Sequence, residues 1–273
     1  MVNDKKNNYE ILGTLGIGGF GNVFKAVSSN GVIVALKKLN RHLLDHPGIK
    51  DRFFHEAEIL SKLSHPNICR LMDFFTDGPE CIIVMEYIDG IDLKDLMFSE
   101  PDNRIPFKQA VDISIQCLAA FQYAYEKGVL HRDIKPSNMM IDKNGKCTVM
   151  DFGIATVIDD HLTNTPIKML SPAYSSPERF SRDGKTDIRS DIYSLGIVFY
   201  ELFTGRKPFN TTDRSEIELW HRKEIPVPVN RINSSLPSTL AAAISTALEK
   251  KQENRFCDFH AFRKAMGVEE LEI

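Results

Sequence analysis

Short apolar runs separated by turn-forming residues dominate the first third of the chain. A glycine-rich stretch and Asn30-Gly31 split the first three runs, and Asp77-Gly78-Pro79 splits the last two, as in antiparallel hairpins. Between them, the apolar residues of 50–63 recur with the period of a helix, which His65-Pro66 ends. The pattern therefore predicts one helix among strands at 9–15, 21–27, 31–39, 68–75 and 81–87.

Beyond a candidate hinge at Ile88-Asp89-Gly90 the pattern becomes mainly helical. Loops and short strands occupy 129–180, including a hairpin at 139–150. Helices are predicted at 93–98, 107–127, 191–204, 240–250 and 259–266. The expected fold is α+β, with a small β-rich lobe (about 9–86) that carries one helix, a hinge (about 86–91) and a larger, mainly helical lobe (about 92–266).

Composition narrows the functional classes. The 273 residues are 42% apolar and 26% charged, as in ordinary globular domains, and the net charge is −3. No basic field favours nucleic acid or an anionic membrane as a partner. The cysteines are five in number and form no CxxC pair, which disfavours a zinc site or a disulfide framework and favours a reducing compartment. We expect a cytoplasmic chain without a signal peptide or a membrane segment.

The stretch from Gly16 to Val23 matches the pattern GxGxxGxV. Glycines allow a backbone to turn sharply and to bring its N–H groups close to phosphate oxygens. The stretch lies between two predicted strands, whereas a Rossmann dinucleotide site lies between a strand and a helix. Taken alone, the motif is equally compatible with a glycine-rich hairpin that binds nothing.

Lys37 ends the VALK stretch at 34–37 in the next predicted strand. A lysine in an alternating strand usually faces solvent, but from this position it could also reach beneath the glycine loop. A buried lysine needs a carboxylate partner. The following helix offers Glu56 and Glu58, which lie about 200° apart around the helix. We predict Glu56, because Leu60 continues its face one turn later, and we expect Glu58 to be solvated.

The stretch from His131 to Asn138 (HRDIKPSN) concentrates the polar chemistry. Two acceptors, Asp133 and Asn138, and two cations, Arg132 and Lys135, occur within it, and Asp151-Phe152-Gly153 follows the hairpin. Phosphoryl transfer requires an acceptor for the attacking hydroxyl, metal ligands and a cation for the developing charge. A charged loop of this size is otherwise ordinary surface.

Taken together, these segments resemble the eukaryotic-type (Hanks-type) serine/threonine protein kinases over residues 9–266. The glycine loop, VALK, HRDIKPSN, DFG, SPE and DIYSLG occur in the family's order and spacing. The resemblance implies one kinase domain over 1–273 that uses ATP and Mg²⁺, with Mn²⁺ as an alternative, to phosphorylate serine or threonine in proteins. The rival readings are a nucleotide-binding pseudokinase scaffold and a small-molecule kinase.

The resemblance also implies roles for individual residues. Asp133 is the catalytic base and Lys135 neutralises the transferred group. Asn138 and Asp151 bind the metal, and Lys37, paired with Glu56, holds the α- and β-phosphates. The implied nucleotide site also contains Leu15, Gly16, Ile17, Gly18, Gly19, Phe20, Gly21, Val23, Ala35, Met85 as gatekeeper, the hinge residues Glu86 and Ile88, Asp92 near the ribose, and Met140. The family's regulatory stack corresponds to Leu60, Leu71, His131 and Phe152.

The substrate platform, residues 171–178, departs from the family's pattern. Leu170-Ser171 stands in place of Gly-Thr, and a serine stands in place of the alanine before Pro177-Glu178. Ser171 retains a hydroxyl that can bond Asp133 and Lys135, so we expect activity to survive. Glu178 should pair with Arg255, although Gln252-Glu253 replaces the usual Asp-Pro before that arginine.

Arg132 beside the catalytic aspartate predicts control by phosphorylation of the activation loop, with Thr163 and Thr165 as candidates and Arg52 as a second phosphate ligand. Self-association would allow one copy to phosphorylate another. We expect the intact mass of freshly expressed protein to include added phosphate that is lost in Asp133→Asn. A wild type that is unmodified yet fully active would contradict this prediction.

Overall fold

The computed structural model describes residues 8–18, 21–40, 49–152, 171–181 and 184–268, without the side chains of Ile49, Asp51, Arg52 and Glu56. The small lobe is a five-stranded antiparallel sheet in the order β1-β2-β3-β5-β4. Its strands are β1 (Tyr9–Ile17), β2 (Gly21–Ser28), β3 (Ile33–Leu39), β4 (Leu71–Asp77) and β5 (Glu80–Glu86), and helix α1 (Ile49–Leu60) lies between β3 and β4 in the chain.

The two faces of this sheet belong to different apolar clusters. A small outer cluster contains Ala26, Val34, Leu36, Phe75, Ile82 and Val84. The inner face joins the main core, to which Ala35 and Leu39 belong. Because side chains alternate along a strand, Lys37 points inward between these two residues and is only 5% exposed. Its neighbour Lys38 points outward and pairs with Glu80 at 2.9 Å.

The larger lobe combines a three-stranded sheet with helices. Its strands β6 (Gly90–Asp92), β7 (Met139–Asp142) and β8 (Cys147–Val149) follow one another in the sheet. The helices are α2 (Leu93–Ser99), α3 (Phe107–Glu126), α4 (Ile188–Thr204), α5 (Arg214–Lys223), α6 (Val229–Ile232), α7 (Ser238–Ala247) and α8 (Phe259–Met266). Single 3₁₀ turns at Pro136–Asn138, Pro172–Tyr174 and Pro177–Phe180 shape the connections that carry the site.

Helix α4 is the centre of the larger lobe. All of its residues except Arg189 and Glu201 are buried, as expected for a helix that is apolar on every side. Asp187 caps its first turn by accepting from the Arg189 N–H, and Gly205 ends it with φ +72°. The helix therefore provides a rigid support inside the lobe.

The α+β prediction is confirmed, and most predicted elements lie within a few residues of their observed bounds. The helix predicted at 50–63 ends earlier, at Leu60, and the helix predicted at 240–250 is α7, Ser238–Ala247. Sequence reasoning missed α5, α6 and β6. Helix α5 is polar and buries only Ile217 and His221, which is too weak a periodicity to detect. Within the described ranges, no helix combines the length and apolarity needed to cross a bilayer.

A buried ion pair anchors the platform to the larger lobe. The Arg255 guanidinium donates from Nη1 and Nη2 to the two carboxylate oxygens of Glu178, both at 2.9 Å. Arg255 also donates to the carbonyl oxygens of Arg189, Glu249 and Lys250. Burial alone would raise the pKa of Glu178, but the hydrogen bonds and charge of Arg255 outweigh it and lower this pKa.

We predict that Glu178→Gln lowers the free energy of unfolding at pH 7 by about 3–5 kcal/mol, because it leaves the Arg255 charge buried without a partner. A carboxylate with a lowered pKa stabilises the fold above its unfolded pKa, ordinarily 4.5. The difference between wild type and variant should therefore shrink as the pH falls below that value. Urea unfolding at several pH values measures it.

The matched control is Glu218→Gln, which removes an exposed pair with Arg222 on α5 and should cost less than about 0.5 kcal/mol. Equal stabilities of the two variants at pH 7 would contradict the assigned role of the buried pair.

Candidate active site

The glycine loop connects β1 and β2 over the edge of the cleft. The Gly18 N–H donates to the Gly21 carbonyl oxygen at 3.0 Å. A Cβ on Gly21 would overlap the carbonyl oxygen of Lys38, so the close approach of β2 to β3 requires glycine here. Leu15 and Ile17 are 47% and 83% exposed, which leaves their side chains available to a ligand. Gly19 and Phe20 lie outside the described residues.

Strand register brings the other predicted nucleotide contacts together in pairs. In the small lobe, Gly16 pairs with Val23, Val23 with Lys37, and Ala35 with Met85. In the larger lobe, Asp92 pairs with Met140. Ala35 and Met85 are buried, at 4% and 5% exposure. Asp92 also caps α2, where its side chain accepts from the Asp95 N–H.

The hinge keeps some of its backbone groups free. The Glu86 N–H donates to the Arg70 carbonyl oxygen at 3.0 Å, while its own carbonyl oxygen receives only a weak contact from the Cys69 thiol at 3.8 Å. Ile88 makes no backbone hydrogen bond to any described residue. The Glu86 carbonyl oxygen and the peptide groups of Ile88 are therefore suited to the edge of a planar base.

Lys37 crosses the cleft between the lobes. Its Nζ lies 2.7 Å from Oδ1 of Asp151. Burial alone would raise the pKa of Asp151, but the charge and hydrogen bond of Lys37 outweigh it and lower the pKa. The solvent-facing alternative for Lys37 is therefore wrong. Glu56 lies on α1, but its side chain is outside the described part, so its pairing with Lys37 stays a prediction.

A buried carboxylate on α4 holds the catalytic loop. Asp191 is 3% exposed, and its two oxygens accept the N–H groups of His131 and Arg132 at 2.7 and 2.9 Å. Arg132 has φ +64°, which is strained for a residue with a side chain. Its carbonyl oxygen accepts from the Arg179 guanidinium. The peptide groups that precede Asp133 are thus held on both sides.

His131 joins this loop to the strand that leads to Asp151. Its Nδ1 accepts the Asp133 N–H at 3.2 Å, so its Nε2–H donates to the Met150 carbonyl oxygen at 2.8 Å. The Met150 N–H in turn donates to the Asn138 carbonyl oxygen at 2.8 Å. The N–H and the carbonyl oxygen of Met150 are therefore both bonded to the HRDIKPSN loop. These bonds set the distance between Asp133 in that loop and Asp151, which follows Met150.

Asp133, Lys135 and Asn138 form one cluster. The Lys135 Nζ donates to Oδ2 of Asp133 at 2.6 Å and to Oγ of Ser171 at 3.2 Å. The Asn138 side chain donates to the Asp133 carbonyl oxygen at 2.8 Å. No described residue donates to Oδ1 of Asp133. One carboxylate oxygen therefore remains able to accept a proton from a hydroxyl, with an ammonium group beside it.

The donor set fits a hard divalent cation. Because the Asn138 side-chain nitrogen donates to the Asp133 carbonyl oxygen, the side-chain oxygen of Asn138 faces away from Asp133. Oδ2 of Asp151 makes no hydrogen bond to a described residue. Carboxylate and amide oxygens are the ligands that Mg²⁺ prefers, with phosphate oxygens completing the shell. Among the described residues there is no cluster of three or more His, Cys, Asp or Glu side chains that could hold a metal.

The predicted regulatory stack is contiguous. The rings of His131 and Phe152 lie 4.7 Å apart, and Phe152 lines a small apolar cavity together with Leu60 and Leu71. Sequence reasoning missed the roles of Asp191 and Arg179. An acidic residue inside a strongly apolar helix was a signal for Asp191, because a buried carboxylate requires partners. Arg179 had no comparable signal. Thr163, Thr165 and Gly153 lie outside the described residues.

Comparison with known proteins agrees with this geometry. The profile of the protein kinase domain matches residues 9–265. A probable serine/threonine-protein kinase of Clostridium perfringens is 36% identical over 252 residues, which are 92% of this chain and 36% of that protein. The serine/threonine-protein kinase PknB of Mycolicibacterium smegmatis is 36% identical over 258 residues, 92% of this chain and 41% of PknB. The chain thus spans less than half the length of these curated relatives.

Among solved structures, the PknI kinase domain of Mycobacterium tuberculosis superposes with a TM-score of 0.76 at 26% identity, and the alignment covers 96% of both chains. This chain and that kinase domain therefore share one fold.

We predict that Asp191→Asn lowers kcat by about 10²-fold, because an amide turned toward the N–H groups of His131 and Arg132 displaces the loop that carries Asp133. The KM for nucleotide should change little. Steady-state kinetics measure both. The control is Asp187→Asn, at an exposed cap position where asparagine serves equally well. A kcat for Asp191→Asn within twofold of the control would contradict the assigned role of Asp191 in holding the loop of Asp133.

Proposed function

Since this chain belongs to the protein kinase family and is the catalytic domain of a serine/threonine protein kinase, we propose that it transfers the γ-phosphoryl group of ATP to serine or threonine hydroxyls of proteins with Mg²⁺ as the metal. Mn²⁺ is the alternative metal. The observation that carries the proposal is Oδ1 of Asp133, which accepts from no described residue, with Lys135 bonded to the other oxygen of the same carboxylate. Acceptor and cation are adjacent, as in-line transfer to a hydroxyl requires.

The proposed reaction assigns one task to each group. Oδ1 of Asp133 accepts the hydrogen bond of the substrate hydroxyl and takes its proton as the new O–P bond forms and the β–γ bridging bond of ATP breaks. Lys135 faces the negative charge that develops on the phosphoryl oxygens. Asn138 and Asp151 would hold the metal, which would supply positive charge to the phosphates. Lys37 can exchange its contact with Asp151 for the α- and β-phosphates.

Ser171 supports a protein substrate over a small molecule. Its hydroxyl accepts from Lys135 at 3.2 Å, so the platform that begins at Ser171 is attached to the catalytic cluster. The platform continues into the turn at Pro172–Tyr174 and is anchored through Glu178. A surface of this kind suits an extended peptide beside the reacting hydroxyl. The presence of Lys37, Asp133 and Asp151 argues against the pseudokinase reading.

Arg132 supports regulation by phosphorylation. Its Nε is buried and has no hydrogen-bond partner among the described residues. A phosphate on Thr163 or Thr165 would satisfy it and draw the activation loop toward the catalytic loop. We propose that this phosphate is added in trans, by a second copy of the chain. The requirement for ATP and the free cysteines favour a cytoplasmic location.

We predict that Asp133→Asn lowers the rate of phosphate transfer from radiolabelled ATP to dephosphorylated casein and to the chain itself by about 10²–10⁴-fold, because the amide cannot accept the proton. The control, Asp112→Asn, changes an exposed residue of α3 and should match wild type. Equal incorporation by Asp133→Asn and wild type would refute the role. Phosphorylation of sugars or antibiotics with none of any protein would refute the substrate class.

A further inference from the structure

The platform turn Pro172–Tyr174 lies against a buried histidine that has no part in the mechanism above. His221, on α5, is fully buried. Its ring stacks on Phe180 with centroids 5.6 Å apart and contacts Phe209 at 5.5 Å. The turn before Glu178 thus lies against the helix that carries His221, and Phe180 after Glu178 stacks on the imidazole itself. A buried imidazole needs a partner for each ring nitrogen, so its two nitrogens have to be accounted for.

A chain of hydrogen bonds with a defined direction reaches Nδ1. The Lys250 Nζ donates to the Tyr193 hydroxyl at 3.3 Å and to the Trp220 carbonyl oxygen at 3.4 Å. Burial and the charge of Arg255 lower the pKa of Lys250 to about 8, so at pH 7 its ammonium group only donates. The Tyr193 oxygen accepts that bond, and its hydrogen is directed to Nδ1 of His221, 2.9 Å away.

The direction of this chain determines which nitrogen of His221 carries the proton. Burial, followed by the charge of Lys250, lowers the pKa of His221 to about 3, so the ring is neutral. A neutral imidazole whose Nδ1 accepts carries its hydrogen on Nε2. That Nε2 is buried and has no hydrogen-bond partner among the described residues. An unsatisfied buried donor is costly and is rarely kept without a purpose.

The acceptor opposite Nε2 is on the platform turn. Burial lowers the pKa of His221, whereas the carbonyl groups of Ala173 and, to a smaller extent, Pro172 raise it. The Pro172 carbonyl oxygen already accepts the Ser175 N–H at 3.2 Å, whereas the Ala173 carbonyl oxygen accepts no backbone bond from a described residue. The far end of the turn is fixed separately, by the Tyr174 hydroxyl on Glu201 at 2.7 Å. The Ala173 carbonyl oxygen is therefore the acceptor that this turn offers to Nε2 of His221.

We propose that His221 is a positioning residue for the peptide substrate: its Nε2–H, kept as a donor by Tyr193 and Lys250, bonds the Ala173 carbonyl oxygen when a peptide occupies the platform. The proposal rests on the protein-kinase function argued above and deepens it. It assigns His221 no contact with the reacting atoms. Its effect is to hold the turn in the conformation that receives the residues beside the phosphoacceptor, and so it affects the binding of peptide rather than of ATP.

Kinetics at pH 7 with ATP and dephosphorylated casein varied independently test the proposal. His221→Phe keeps the ring stacking but removes both nitrogens, and we expect the KM for casein to rise about tenfold, the effect of one lost hydrogen bond. The KM for ATP should stay within twofold. His221→Gln places an amide N–H near the position of Nε2 and should restore the KM for casein to within about threefold of wild type. The control, His260→Phe, changes an exposed histidine of α8.

A KM for casein unchanged in His221→Phe, or raised equally in His221→Gln, would overturn the proposal. So would equal rises in both KM values, which indicate a general structural effect. If the wild type phosphorylates neither casein nor itself, the kinase function fails instead, and the proton position is then measured directly.

Nitrogen-15 NMR of histidine-labelled wild type makes that measurement without any activity. The signals of His221 are those that disappear in His221→Gln. We expect a neutral ring protonated at Nε2 that does not titrate between pH 5 and pH 8, and a changed Nδ1 shift in Tyr193→Phe. Protonation at Nδ1, or a charged ring at pH 7, would overturn the directed chain and the proposal with it.

Discussion

The carboxylate of Asp191 is the constraint on which the catalytic geometry depends. Helix α4 is buried on nearly all sides, so a charge within it must be satisfied by nearby donors. The donors are the N–H groups of His131 and Arg132. Holding two successive peptide groups fixes the direction in which the chain leaves toward Asp133. The rigidity of an apolar helix is thus transferred to Asp133, the proposed acceptor of the substrate proton.

A second buried carboxylate, that of Glu178, holds the platform at residues 171–178 in the same way. Glu178 accepts from Arg255 and from Ser190, one residue before Asp191. The catalytic loop and the platform are therefore attached to neighbouring positions of one helix. Lys135 connects the two directly, since it reaches both Asp133 and Ser171. Asp133 and the platform keep their separation because both are attached to the same rigid helix, as the proposed transfer to a peptide hydroxyl requires.

Local pattern predicted the alternation of strands and helices and, through motif resemblance, the members of the catalytic cluster. It left open which of the adjacent residues Lys37 and Lys38 faces the main core, because only the packing of β3 against that core decides between them. Contacts between residues far apart in the sequence could not be predicted from local pattern either: 114 positions separate Lys37 from Asp151, and 60 separate His131 from Asp191. Helix α5 escaped because its few buried residues, His221 among them, leave little periodicity.

The late position of these anchors in the chain has a consequence for biosynthesis. A nascent polypeptide leaves the ribosome from its N-terminus, and early regions begin to fold first. The cleft strands and the HRDIKPSN loop emerge before α4, and Arg255 emerges later still. Until those residues leave the ribosome, the loop lacks its hydrogen bonds to Asp191 and the platform lacks its ion pair with Arg255. A nascent chain that can already form the small-lobe sheet therefore still lacks the contacts of Asp191 and Arg255 that hold the loop and the platform.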